Sequence, residues 1–240
     1  MKLSIIIPVR QEEKAIQKTV THLKESLGTE VQIIVSDGKS TDKTVEVALT
    51  CADDVVLYER DVPHTASIGR NDGARVGTGT YFCFIDADVR IPEPLTFFEK
   101  ALRHFDDAGV VGVCGPQRAE PAVETWADRI SFGLLNIGLR FQNNVLHLGE
   151  ASGKFMIVRA ESFRAIGGFR EDLVTREDGD FFKRLSKVGK TVFDPSLMVY
   201  HGARRAHKIG WWRLWPIWTW NTLYVAVTDK AYTKDWTPIR

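Results

Sequence analysis

Short apolar runs alternate with segments whose apolar residues recur at helical spacing, and the alternation is regular through the first half of the chain. Leu3-Ser4-Ile5-Ile6-Ile7-Pro8-Val9 is β-branched and apolar enough to predict a buried strand, with Pro8 marking its end. Ala15, Ile16, Val20, Leu23 and Leu27 then share one helical face. Glu12 and Glu13 suit that helix's first turn and Gly28 its stop. The pattern returns with a strand over residues 31–36, a helix carrying Val45, Ala48, Leu49 and Ala52 that Ser40 or Thr41 can cap, and a strand over 55–58. An Ala- and Gly-rich helix over 65–76 leads into Thr80-Tyr81-Phe82-Cys83-Phe84-Ile85, a buried strand that ends at Asp86-Ala87-Asp88. Leu95, Phe98, Ala101, Leu102 and Phe105 mark a further amphipathic helix, and residues 110–114 a further strand. Beyond Gly115 the regularity fades. A helix is expected over 126–139, another opens at Arg176-Glu177-Asp178-Gly179-Asp180 and stops near Gly189, and Leu197-Met198-Val199-Tyr200 reads as a strand.

Strands alternating with helices predict an α/β fold with a mostly parallel central sheet flanked by helices, and ligands of such sheets bind beyond the carboxyl ends of the strands. Four polar clusters and the Asp86-Ala87-Asp88 tripeptide occupy such ends or the loops after them. On extended chain Asp86 and Asp88 face the same way, as two oxygen ligands for one hard cation would; a polar turn accounts for the pair equally well. Arg10 and Glu12 can frame a base and ribose, or simply start a helix. Asp37, in Ser36-Asp37-Gly38, can accept from a base or a ribose hydroxyl, or sit in a turn before a helix cap. Gly69-Arg70-Asn71-Asp72-Gly73-Ala74 offers a phosphate-neutralising Arg70 among small residues that also permit tight packing. Acids at the start of a helix, as in Glu177-Asp178, are favoured by the dipole alone.

Composition narrows the class. At 240 residues with 44% hydrophobic content and no repeat or linker, the chain suits one continuous domain with a sizeable core. A net charge of +1 gives no reason to expect a nucleic-acid partner. Cys51, Cys83 and Cys114 are odd in number and set in apolar contexts, which predicts reduced thiols. With no signal-peptide core before the first strand, the expected compartment is the cytoplasm.

The order of the clusters carries more than any one of them. Ile5-Ile6-Ile7-Pro8-Val9-Arg10 with Glu12, Ser36-Asp37-Gly38, Gly69-Arg70-Asn71-Asp72-Gly73-Ala74, Asp86-Ala87-Asp88, Ile166-Gly167-Gly168-Phe169 and Glu177-Asp178 follow one another as in the family 2 glycosyltransferases, which this chain resembles from about residue 3 to 201. One departure is that Ser36 stands where a second acid often precedes the Gly.

That resemblance implies the GT-A fold, a nucleotide-diphospho-sugar donor, a Mg²⁺ or Mn²⁺ ion, and inverting transfer of one sugar to a glycan or lipid-linked acceptor of the cell envelope. Residue by residue it implies donor contacts from Pro8, Arg10, Glu12, Asp37, Arg70, Asn71, Asp86 and Ala87, with Asp37 on the base and Asp86 on ribose or a metal-bound water. Asp88 would hold the metal with His201, Asp178 would be the general base, and Gly167, Gly168, Phe169 and Glu177 would meet the acceptor. Arg204 and Arg205 can contact phosphate, form a solvated basic loop or meet anionic lipid. The Gln-x-x-Arg-Trp motif of processive relatives is missing, which favours single transfer. A nucleotidyltransferase would want a glycine-rich phosphate loop where Arg10-Gln11-Glu12-Glu13 stands; a non-catalytic sugar-nucleotide-binding membrane adaptor is the other alternative.

Six of the seven tryptophans lie beyond residue 210. Trp211, Trp212, Trp215, Trp218, Trp220 and Tyr224 follow a basic stretch, and the uncharged run after Arg213 is too short to span a bilayer. The expectation is an amphipathic helix on an anionic leaflet, at the inner face of the plasma membrane, the alternative being that these rings pack back onto the domain or form an oligomer contact. The chain is thereby divided into a catalytic domain over 1–207, with a donor half over 1–115 and an acceptor half over 116–207, and an aromatic tail over 208–240.

Overall fold

A computed structural model describes residues 3–232, so residues 1–2 and the end of the tail over 233–240 lie outside the described residues. Seven strands form one sheet: β1 (Leu3–Val9), β2 (Val31–Asp37), β3 (Asp54–Leu57), β4 (Tyr81–Ile85), β5 (Val110–Cys114), β7 (Phe155–Arg159) and β8 (Lys190–Phe193), in the order β3-β2-β1-β4-β7-β5-β8. Every neighbouring pair is parallel except the two that β7 makes, with β4 and with β5. β6 (Gln117–Ala119) and β9 (Val199–His201) pair separately in parallel. This is the mostly parallel α/β architecture expected.

The period-two pattern of each strand separates two cores. Ile5, Ile7, Ile33, Val35, Cys83, Ile85, Phe155 and Ile157 point to one face, where α1 (Glu13–Leu27), α2 (Thr44–Cys51) and α4 (Pro94–Arg103) cover them. Ile6, Ile34, Phe82, Phe84, Met156 and Val158 point to the other, among them the rings of Phe163 from α6 (Ala160–Ala165) and of Phe181 and Phe182 from α7 (Glu177–Leu185). α3 (Ala66–Val76) lies on that second face so closely that a Cβ on Gly73 would come 2.5 Å from Ile6 Cγ2. The small residues of the third cluster are therefore required by packing.

Three expectations need correction. α2 begins at Thr44 rather than behind Ser40 or Thr41: Ser40 Oγ accepts from the Gln11 amide at 2.8 Å, and Asp42 Oδ1 takes the Thr44 N–H at 3.0 Å. The helix expected over 126–139 continues, as α5, from Trp126 to Asn144, opened by a reciprocal Thr125–Asp128 cap. Strand β6 lies within the stretch where regularity fades, and β7 and β8 follow it without having been expected, β7 inside the sheet between β4 and β5.

The tail forms α8 (Arg204–Ile209) and α9 (Trp211–Thr228). Trp211 donates to Asp128 Oδ1 at 2.7 Å and Trp215 to Ser131 Oγ at 3.2 Å, while Trp211, Trp215 and Trp218 gather edge to edge. Trp211 and Trp215 thus pack onto α5 and Trp218 onto those two rings, leaving Trp212 and Trp220 outward. Among the described residues no helix is long and apolar enough to cross a membrane.

Candidate active site

The order β2-β1-β4 reverses the direction of winding at β1, so a crevice opens where the carboxyl ends of β1 and β4 diverge. Backbone in the left-handed region collects around this edge: Gln11 after β1, Lys39 after Asp37, Arg176 before Asp178 and Ala203 after His201 all have positive φ without being glycine. Such conformations are held by their surroundings and concentrate at working sites.

At the end of β2, Asp37 is buried and its Oδ2 accepts from the Ser40 amide at 2.9 Å. Its Oδ1 is buried with no partner, and so is Nε2 of His64 nearby. The His64 ring stands edge-on to Tyr58 at 5.0 Å, and a Cβ on Gly38 would come 2.3 Å from His64 Nδ1. A Cβ on Gly69 would come 3.0 Å from the Cβ of Pro8. Burial first, then the charge of Arg10, lowers the His64 pKa to about 4, so the imidazole is neutral. A carboxylate oxygen and a neutral ring nitrogen, both buried and unbonded, suit the polar edge of a planar heterocycle. His64 had no motif to announce it.

At the end of β4, the Lys154 ammonium lies 2.8 Å from Asp86 Oδ2 and 3.2 Å from Asp88 Oδ1. Arg204 stands 3.1 Å from Asp88 Oδ2 and donates to both oxygens of Glu12 at 3.0 and 3.2 Å. Burial opposes ionisation of Asp88, yet Lys154 and Arg204 hold its carboxyl well below the usual range. The same carboxylates raise Lys154 against its own burial.

Arg70, buried on α3, links this cluster to α7: its Nη1 donates to Glu177 Oε1 at 3.0 Å and its Nη2 to Asp86 Oδ1 at 3.4 Å. Asp178 is fixed by backbone, accepting from the Gly153 amide at 2.7 Å and the Gly179 amide at 2.8 Å. Burial, and then the neighbouring Asp178 charge, pushes the Glu177 carboxyl up to about 7. Beneath them Arg176 holds Glu150 through two bonds of 2.8 Å.

Other expected residues serve the frame. Asn71 Nδ2 donates to the Phe169 carbonyl at 2.9 Å and Asn71 Oδ1 accepts the Phe169 amide at 2.9 Å, clamping α3 to the turn in which Gly167 and Gly168 have φ of +76° and +68°. Phe169 is buried, stacked on Phe181 at 4.1 Å with Arg70 over its ring at 5.2 Å, so it offers no open platform. Gly167 and Gly168 line a cleft of about 340 Å³ with Asn71, Arg75, Phe163 and Glu171. A larger cavity of about 540 Å³ lies at the opposite edge, where β5 and β8 begin with Val110 and Lys190.

The residues expected to hold a metal suit one as donors. Asp86 and Asp88 leave β4 with Glu12 close by through Arg204, and carboxylate oxygens are the donors that a hard divalent ion takes. His201 Nε2 is buried without a partner, and burial, aided by Lys154, lowers the ring's pKa to about 3, leaving it neutral. Its Nδ1 accepts from the Ala203 amide at 3.2 Å; ligation through Nε2 would put the proton on Nδ1 and cost that bond, which makes Asp88 the stronger ligand. Among the described residues no group of three His, Cys, Asp or Glu side chains is arranged around one point, and an ion bound by one or two carboxylates plus substrate phosphates needs none.

Known proteins share this frame. Succinoglycan biosynthesis protein ExoA of Rhizobium meliloti is 28% identical over 218 residues, 86% of this chain, which spans 65% of that protein's length. Mannosyltransferase PcManGT from Pyrobaculum calidifontis, in complex with GDP-Man and Mn²⁺, superimposes with a TM-score of 0.72 at 18% identity, covering 92% of this chain and 61% of its own. Glucosyl-3-phosphoglycerate synthase from Mycobacterium tuberculosis, bound to Mn²⁺, UDP-Glc and phosphoglyceric acid, does so with 0.57 at 22%, covering 87% and 74%. These likenesses establish the GT-A fold. The family described as Glycosyl transferase family 2 matches residues 4–167, more than half of the sequence, and the chain belongs to that family.

Proposed function

We propose that this protein transfers one sugar from a nucleotide-diphospho-sugar to a hydroxyl or phosphate of a glycan or lipid-linked acceptor, with inversion at the anomeric carbon. One observation carries the reading: neighbouring residues on one strand end hold both halves of the site, since the Gly153 amide fixes Asp178 while the Lys154 side chain holds Asp86 and Asp88. A base and a donor site tied to one dipeptide keep a constant separation, which in-line displacement demands.

In this reading the base of the donor enters the slot between Asp37 and His64. Asp88 and His201 would hold a Mg²⁺ or Mn²⁺ ion, which would supply positive charge beside the departing diphosphate. Lys154 and Arg204 add fixed positive charge beside it, and Arg70 keeps Asp86 and Glu177 in register. Asp178 takes the acceptor proton as the acceptor oxygen bonds to the anomeric carbon and the bond from that carbon to the diphosphate breaks. Its oxygens keep a free lone pair beside each amide bond, and a carboxylate suffices where proton transfer accompanies attack. The relatives found with GDP-Man and UDP-Glc support a nucleotide donor and leave its identity open. The tail would rest on the inner face of the plasma membrane, near a lipid-linked acceptor.

A panel of UDP-, GDP- and dTDP-sugars, tested with Mn²⁺ and Mg²⁺ for nucleoside diphosphate release, tests the assignment. The anomeric proton coupling of the product tests inversion. Release with one donor that Asp88→Ala and Asp178→Asn both abolish is expected; release unaffected by both variants would remove the site.

A further inference from the structure

The expected membrane contact is confined to the tail, yet an exposed apolar stripe of equal span lies on α5. Trp126, Ile130, Leu134, Ile137 and Phe141 follow at steps of four, four, three and four residues, and all are exposed, Trp126 at 78% and Ile137 at 67%. That spacing puts them on one face, opposite the Asp128, Phe132 and Leu139 face that is buried. α9 starts against the first turns of α5 and repeats the arrangement, with Leu214 and Asn221 inward and Trp212, Trp220, Leu223 and Val227 outward. Among the described residues, two neighbouring helices therefore each carry an apolar outer face that is open except where Tyr232 meets Trp220. Single exposed apolar residues need no explanation; two such stripes do.

Charge indicates the occupant. On α5 the charged residues are Asp128, Arg129 and Arg140; Asp128 is buried beneath His207 and Trp211, while both arginines are exposed. The one charged residue within α9 is Arg213, also exposed, and α8 adds the exposed Lys208. Glu124, just ahead of α5, has its carboxylate held by Arg118 and Arg129 and almost wholly covered. Each exposed charge on these helices is thus a cation, bordering apolar stripes with tryptophan at their ends. We propose that α5 and α9 together form a docking surface for an anionic lipid leaflet, with the α5 stripe inserted among the acyl chains and the arginines at the headgroups. The proposal rests on the peripheral-membrane reading of the tail and moves its main contact onto the catalytic domain.

The test is co-sedimentation with phosphatidylcholine vesicles with and without phosphatidylglycerol, at low and high salt, beside light scattering for oligomeric state. The wild type should bind the phosphatidylglycerol vesicles and bind less at high salt. Leu134→Ser with Ile137→Ser and Phe141→Ser should lower binding about tenfold or more at an unchanged unfolding temperature, since fewer apolar groups then enter the leaflet. If that variant binds like the wild type while Trp220→Ser with Leu223→Ser and Val227→Ser does not, the tail reading stands and this proposal fails. Absence of vesicle binding by the wild type sinks both. A dimer that the α5 substitutions split, with vesicle binding unaltered, makes the face an interface between copies and overturns the proposal.

Discussion

Gly153 donates its backbone N–H to Asp178 Oδ2 at 2.7 Å, so the candidate base is held by the residue next to the lysine that grips Asp86 and Asp88. Asp178→Asn should lower the transfer rate by about 10²–10⁴-fold, the range for losing a positioned base. Donor KM should change little, because Asp178 touches none of the donor-side carboxylates directly. Gly153→Ala places a Cβ 2.5 Å from Arg70 Nη2, and Arg70, already tied to Glu177 and Asp86, has little room to yield. The alanine variant should lose rate as well. Steady-state kinetics on both variants decide, and full activity in Asp178→Asn would place the base elsewhere.

The first half of this site was legible because parallel strands end where their ligands bind, so Asp37, Asp86 and Asp88 could be picked out as the first polar residues past an apolar run. Lys154 was not, for a topological reason. β7 runs opposite to its neighbours, which brings its beginning, not its end, to the same edge. Phe155-Met156-Ile157-Val158 is an apolar run of strand length, and the Gly153-Lys154 pair ahead of it was the available signal. His64 is invisible for another reason: its place depends on Gly38 and Gly69 leaving space from two different loops. The family resemblance puts Asn71 on the donor and Phe169 on the acceptor, and what it does not carry is their work in the frame, where Asn71 pins the left-handed turn before Phe169 against α3.

Lys154→Met keeps most of the side chain's length and removes its charge. Asp86 and Asp88 then face each other with Arg70 and Arg204 as their remaining cations. Donor affinity should fall about tenfold or more, as expected when one partner of a buried charge-assisted hydrogen bond is lost. Isothermal titration with the nucleoside diphosphate, with and without Mn²⁺, reads this directly. Unchanged affinity in both conditions would deny Lys154 any part in donor binding.

Glu177 makes stability depend on pH in a direction unusual for a carboxylate. Its folded pKa is raised from the ordinary 4.5 to about 7, so between those values the folded state retains a proton that the unfolded chain has released. Stability from this group is therefore full below about pH 4.5 and declines until about pH 7. The neutral imidazoles of His64 and His201 act oppositely, since the unfolded chain takes up their protons below about pH 6.5. The difference between Glu177→Gln and wild type isolates the carboxylate. Its unfolding temperature should decline less from pH 5 to pH 8 than that of the wild type, and parallel curves would refute the assignment.

Asp128 anchors the tail, and its geometry leaves an amide no good orientation. Oδ2 accepts from the Thr125 amide at 2.8 Å, the Thr125 hydroxyl at 2.7 Å and His207 at 2.7 Å, while Oδ1 accepts from Trp211 Nε1 at 2.7 Å. Burial opposes the charge, yet these donors lower the carboxyl to about 2, so its stabilising part is present above about pH 3.8 and is lost as pH falls through 2. In Asp128→Asn the amide nitrogen must face either the Thr125 N–H or the Trp211 N–H, setting donor against donor. Destabilisation of about 1–3 kcal/mol is expected, the penalty for a buried donor left unsatisfied. Because Trp211, Trp215 and Trp218 touch one another, tryptophan fluorescence should shift toward that of solvated indole at temperatures below global unfolding. Fluorescence and far-ultraviolet dichroism melting together, at the wild-type temperature, would show that α9 is held without Asp128.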